Sequence, residues 1–127
     1  MAHGGTKRVL VVDDEEGIRH LLRLHLESAQ YQVLAAENGA AALHHLADRE
    51  VDVALVDLRL GEEDGIAVME RLHTIQPALP VIIITSYPTP ESARAAGQKG
   101  AFDYIPKPFA APELLGVVAR AVRASGG

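Results

Sequence analysis

Four short apolar runs recur along the chain: RVLVV (8–12), VLAA (33–36), VALV (53–56) and VIII (81–84). None shows the every-second-residue polarity of a strand with one wet face, so they read as strands covered on both sides, the habit of parallel sheets. A fifth run, DYI (103–105), is weaker. Between the runs the pattern changes to a helical period. Residues 16–29 carry Ile18, Leu21, Leu22 and Leu26 at helical spacing, and residues 40–47 and 66–73 repeat the pattern more briefly. Thr89-Pro90-Glu91 supplies an N-cap, a proline at the first helical position and a first-turn acid, which predicts a fourth helix ending near 97–100. Pro112 and Glu113 open a fifth, with Leu114, Leu115, Val118 and Val122 as its buried stripe, although Ala111 is a poor cap. Five strand–helix units in strict alternation predict an α/β fold: a single doubly wound, three-layer sandwich around a five-stranded parallel sheet with right-handed crossovers.

Sheets of this kind collect their functional groups at the C-terminal strand ends, beside the point where strand order reverses. The first strand runs into Asp13-Asp14-Glu15-Glu16, the third into Asp57, the fourth into Thr85 and the fifth into Lys107-Pro108. Each alone has an ordinary reading. Asp13 and Asp14 suit a helix N-terminus, Glu15 and Glu16 do no more than that, Asp57 suits a turn, Thr85 a strand, and Lys107 a solvated surface. Convergence in one crevice alters the balance, because two carboxylates about 4 Å apart repel by roughly 4 kcal/mol at an effective dielectric near 20. Lys107 supplies one compensating charge. A hard divalent cation supplies the rest, and Mg²⁺ suits carboxylate, carbonyl and water oxygens while keeping waters for an incoming phosphate. A metal on one phosphoryl oxygen, an ammonium on a second and a hydroxyl on a third would stabilise in-line transfer, with Asp57 as the acceptor carboxylate.

Composition narrows the classes. The chain has 127 residues, 48% of them hydrophobic, enough for one core, and its Gly/Ser-rich flanks place a single domain at 7–123 between flexible tails at 1–6 and 124–127. Twelve Lys+Arg against 17 Asp+Glu, a formal charge of -5, argue against nucleic acid or anionic lipid as direct ligands. No apolar run approaches the roughly 18 residues of a membrane span and no secretory signal opens the chain, so a cytoplasmic address is expected. Without cysteine there is no disulfide framework or thiolate nucleophile. His20, His25, His44, His45 and His73 form no metal-binding motif and read as helix-surface residues. No phosphate-binding glycine loop follows a strand, and no GxSxG elbow is present.

Four segments, VLVVDDEE (9–16), VDLRLGEEDG (56–65), IIITS (82–86) and GAFDYIPKPF (100–109), together resemble the receiver domains of bacterial two-component response regulators. The resemblance covers residues 7–123. It implies the flavodoxin-like, CheY-like strand order 2-1-3-4-5 and phosphorylation of Asp57 from a histidine-kinase phosphohistidine or a small phosphodonor. It further implies Mg²⁺ held by Asp13, Asp14, Asp57 and the backbone carbonyl of Arg59. Thr85 and Lys107 match the hydroxyl and lysine that engage the phosphoryl group, and Thr85 and Tyr104 match the switch pair. Pro108 matches a Lys-Pro pair that is often cis, although trans is the general expectation for such a bond. Gly61 stands where a proline is common, leaving that loop less restricted, and Ser86 is slightly larger than usual. Arg59 and Tyr87 flank the acceptor at variable positions, where they could shield or order water. Pro88 and Pro90 stiffen the loop after Thr85.

The expected function is therefore a phosphorelay switch: phosphorylation remodels the face made by the fourth helix, fifth strand and fifth helix, which an output domain or protein reads. It is no enzyme beyond slow hydrolysis of its own acyl phosphate. A Mg²⁺-dependent aspartyl-phosphate phosphohydrolase is the alternative, weakened because Arg59 stands where an acid would protonate the leaving group. A phosphorylation-independent docking module is a third reading. Expected partners are a sensor histidine kinase or phosphotransfer protein and an output domain, either on a longer chain or separate. A homodimer through the fourth helix, fifth strand and fifth helix is compatible with the sequence, and nothing in residues 113–123 establishes it.

Overall fold

The computed structural model describes residues 5–126; the remaining tail positions, 1–4 and 127, lie outside the described residues. Strands β1 (Arg8–Val12), β2 (Gln32–Ala36) and β3 (Val53–Asp57) are followed by a two-residue hairpin, β4 (Arg59–Leu60) and β5 (Glu63–Asp64), then by β6 (Val81–Thr85) and β7 (Asp103–Pro106). The helices are α1 (Glu16–Ser28), α2 (Gly39–Asp48), α3 (Gly65–Ile75), α4 (Pro90–Gln98) and α5 (Ala111–Gly126). The five long strands form one parallel sheet in the order β2-β1-β3-β6-β7, the doubly wound order expected. From β1 the chain steps outward to β2, then crosses back over β1 to β3. The reversal therefore falls between β1 and β3, whose carboxyl ends carry Asp13 and Asp57.

Every residue of β3 and β6 is buried, which is why neither shows polar alternation. Alternate side chains go to opposite layers. Val9, Val11, Val53, Leu55, Ile82 and Ile84 pack against Leu22 and Leu26 of α1 and Leu114, Val117, Val118 and Ala121 of α5. Leu10, Val12, Ala54, Val56, Val81 and Ile83 face α2, α3 and Ala96 of α4.

The helices differ from the sequence reading in detail. In α1, Leu21 is 39% exposed and only Leu22 and Leu26 are fully buried, because the sheet meets a narrower stripe than the leucine spacing suggests. In α5 the buried stripe is Leu114, Val117, Val118 and Ala121, at i, i+3, i+4 and i+7, with Leu115 and Val122 on its flank. That helix begins one residue early, at Ala111, placing Pro112 in the first turn, and it runs on to Gly126, past Arg123. α4 starts as expected: the Thr89 side chain accepts from the Ser92 amide while the Ser92 hydroxyl serves the Thr89 amide, a reciprocal cap. His45 and His73 are not free surface residues; each is partly buried with Nε2 2.9 Å from a backbone carbonyl, of Ala35 and Leu79 respectively.

The hairpin has no counterpart in the apolar pattern. Leu60 pairs with Glu63, leaving Gly61 and Glu62 as the loop, and Gly61 has φ +63°, the conformation a two-residue turn with glycine first requires. A proline there could not adopt it, so the loop is more defined than the sequence suggests. Gly65 answers a different need. Its backbone lies so close to β3 that an added Cβ would stand 2.0 Å from the Asp57 carbonyl oxygen.

Candidate functional site

Asp57 closes β3, Thr85 closes β6, Asp13 follows β1 and Lys107 follows β7, so the parallel register brings four chain-distant residues to one edge. The backbone ladder continues into the site: the amides of Asp13, Leu58 and Lys107 donate to the carbonyls of Ala36, Ile84 and Thr85. The Lys107 ammonium donates to Asp13 Oδ2 at 3.0 Å and Asp57 Oδ2 at 2.9 Å, and stands 3.8 Å from Glu15 Oε1. Asp13 is wholly buried, Asp57 is 6% and Thr85 1% exposed. Carboxylate oxygens of Asp13, Asp14 and Asp57 all lie within 4.8 Å of one another.

Each carboxylate also accepts from one backbone amide. Glu15 N donates to Asp13 Oδ1 at 2.9 Å, Arg59 N to Asp57 Oδ1 at 3.0 Å and Gly61 N to Asp14 Oδ2 at 3.1 Å. Asp13 and Asp57 thus share one buried ammonium, while Asp14 makes no hydrogen bond or ion pair with it among the described residues. Burial pushes the Asp13 carboxyl up to about 6, helped by the Asp57 charge, against the opposing pull of the Glu15 amide and Lys107. For Lys107 burial acts downward, yet the bonds and charges of Asp57 and Asp13 outweigh it and its pKa is raised. A set of hard anionic oxygens with an uncompensated surplus of charge fits a divalent cation of the Mg²⁺ kind.

Beside the acids a cleft of about 360 Å³ is lined by Asp14, Glu15, Asp57, Arg59, Thr85, Ser86 and Tyr87. Arg59 and Tyr87 thus line the same cleft as Asp57, and Tyr87 is 71% exposed. Thr85 Oγ1 accepts from the Tyr87 amide at 3.0 Å. Tyr104 stands apart from the cleft. Its hydroxyl bonds the Ser92 hydroxyl and accepts from the Thr89 amide at 3.4 Å, tying β7 to the first turn of α4. The Lys107–Pro108 peptide is cis, against the general expectation.

Three contributors lie outside the residues singled out from sequence: Arg19 Nη1 donates to the Asp13 carbonyl at 2.8 Å, Gly65 gives the Asp57 backbone room, and Ser92 meets Tyr104. Gly61, noted only for replacing a proline, holds Asp14. Only Gly65 had a local signal, an Asp-Gly pair opening a helix.

Fold and site define a class: a small doubly wound domain whose strand-order reversal carries an acidic pocket closed by a buried lysine. The response regulator receiver domain family matches residues 9–119, and the chain belongs to it. It is 42% identical over 114 residues to the DNA-binding transcriptional regulator NtrC of Escherichia coli K12, covering 90% of this chain and 24% of that protein. The chain thus spans about a quarter of the length of the curated relatives it matches. Among solved structures, a CheY-like receiver domain protein from Methanospirillum hungatei superposes with TM-score 0.90 at 27% identity, covering 96% of this chain and 98% of that one. A response regulator from Burkholderia pseudomallei, with a phosphorylated aspartic acid, calcium ion and citrate, gives 0.84 at 29% identity, over 94% and 71%.

Proposed function

We propose that the domain is a phosphorylation-controlled switch in which an Asp57 carboxylate oxygen attacks the phosphorus of a phosphohistidine, on a sensor kinase or phosphotransfer protein, or of a small phosphodonor. The new O–P bond forms as the donor's P–N bond, or P–O bond in acetyl phosphate, breaks, and the imidazole nitrogen or the acetate oxygen leaves with the electron pair. One observation carries this reading: Lys107 bonds Asp13 and Asp57 together, with an Asp14 oxygen within 4.8 Å of theirs. Asp13, Asp14 and Asp57, with the Arg59 carbonyl, would hold Mg²⁺, which supplies charge neutralisation at the transferring group. Lys107 exchanges a carboxylate for a phosphoryl oxygen, and the Thr85 hydroxyl donates to another.

Drawing Thr85 toward the phosphoryl group alters the space below Tyr104, whose hydroxyl must leave the start of α4 to fill it. The face of α4, β7 and α5 changes in consequence, and an output domain or a second copy of the domain reads it. Arg59 and Tyr87, at the cleft mouth, govern the approach of water and hence the lifetime of the acyl phosphate. The phosphorylated aspartic acid and metal ion of the Burkholderia neighbour support this reading. A cytoplasmic address goes with it; among the described residues no helix is long and apolar enough to cross a membrane.

Intact-mass measurement after incubation with acetyl phosphate and Mg²⁺ tests it. One added phosphoryl group, absent without divalent cation and absent in Asp57→Asn, is expected. No uptake, or uptake that survives Asp57→Asn, would overturn the assignment.

A further inference from the structure

The three carboxylates are held unequally. Asp13 and Asp57 are buried, and each accepts from both Lys107 and a neighbouring backbone amide two residues on. Asp14 is exposed, and its one hydrogen bond among the described residues comes from the Gly61 amide, 47 residues away in sequence. An exposed aspartate side chain otherwise samples several rotamers, and a cation that needs it must bear the cost of fixing it.

The geometry points to Gly61 as a positioning residue for the divalent cation: its N–H fixes the Asp14 carboxylate through Oδ2, in a cluster where an Asp14 oxygen lies within 4.8 Å of oxygens of Asp13 and Asp57. The inference rests on the metal-dependent reading above and adds a residue to it. Two features of this chain make the contact available. Residue 61 is not proline, so it has an N–H to give. Its φ of +63°, set by the Leu60–Glu63 pairing, turns the loop so that this amide meets Asp14. Receiver domains with proline at this position lack that donor altogether. By linkage the coupling works in both directions, so a cation on Asp14 tightens the hairpin and slows exchange of the Gly61 amide.

Calorimetric titration of the whole chain with Mg²⁺, for wild type and Gly61→Pro, Gly61→Ala and Gly61→Asn, separates the amide from the loop conformation. Alanine and asparagine keep the N–H, whereas proline removes it. Loss of a hydrogen bond to a charged group predicts about tenfold weaker Mg²⁺ binding in Gly61→Pro, with Gly61→Asn, which tolerates positive φ, within about threefold of wild type and Gly61→Ala between the two. In acetyl phosphate uptake, Gly61→Pro should need more Mg²⁺ for half-maximal rate and reach the wild-type rate at saturation. Slower exchange of the wild-type Gly61 amide with Mg²⁺ present is the companion signal. Undiminished binding in Gly61→Pro would overturn the inference, as would equal weakening in Gly61→Asn or a lowered saturating rate. Wild type that binds no Mg²⁺ at all would instead remove the metal-dependent reading itself.

Discussion

The two edges of the same sheet treat polar groups differently. At the amino edge each group meets its complement: the Arg8 amide donates to Asp52 Oδ2, the Arg8 guanidinium to Gln32 and the Glu50 carbonyl, and the Gln76 side chain spans both the amide and the carbonyl of Val51. At the carboxyl edge three carboxylates cluster, and one buried ammonium bonds two of them. The hydrogen bonds of both edges are satisfied, and no buried side-chain polar atom among the described residues lacks a partner. The difference lies in charge. The carboxyl edge keeps a surplus of negative charge, the feature on which the proposed cation binding rests.

The comparison breaks most severely through Gly65. A methyl group there collides with the Asp57 backbone, so Gly65→Ala should cost about 3 kcal/mol in urea unfolding and displace Asp57. Lys107→Met strips the carboxyl edge of the buried cation that Asp13 and Asp57 share. Two buried acids then face each other, and a loss of about 3 kcal/mol near neutral pH is expected, partly restored by Mg²⁺ in thermal melts.

Asp13 gives a smaller effect whose sign is fixed by its elevated pKa of about 6. A carboxyl raised in the folded state binds its proton more readily there than in the unfolded chain, so the penalty is full above pH 6 and fades as the pH falls toward 4. Without divalent cation, Asp13→Asn should therefore be more stable than wild type by about 2 kcal/mol near neutral pH, the two converging toward pH 4. Mg²⁺ needs the ionised form, so its stabilisation of wild type should shrink over the same interval. The amino edge supplies the contrast: Gln76→Ala should cost about 1 kcal/mol and leave phosphoryl uptake unchanged, because no site depends on it.

The contrast between edges also explains what could be read from sequence. Complete burial of β3 and β6 erases polar alternation, so both strands and the residues that end them were legible. That Asp13 and Asp57 meet follows from strand order, and Lys107, two strands from Asp57, reaches them through its long side chain. Gly61 and Arg19 were not legible, because the contacts they make depend on how a loop or helix turn lies against the sheet. The hairpin that carries Gly61 has strands of two residues, too short for any period to register. Tyr104 was placed at the right strand, but its link to Ser92 depends on the approach of α4 to β7 and leaves no mark in either segment.

The decisive measurement is to locate the phosphoryl group. Borohydride reduction of the acyl phosphate after acetyl phosphate treatment converts the modified aspartate to homoserine, and peptide mass spectrometry then finds the position. Homoserine at residue 57 alone, formed only with divalent cation present, is the predicted result. Homoserine at residue 13 or 14, or a phosphoryl group on any other side chain, would contradict it.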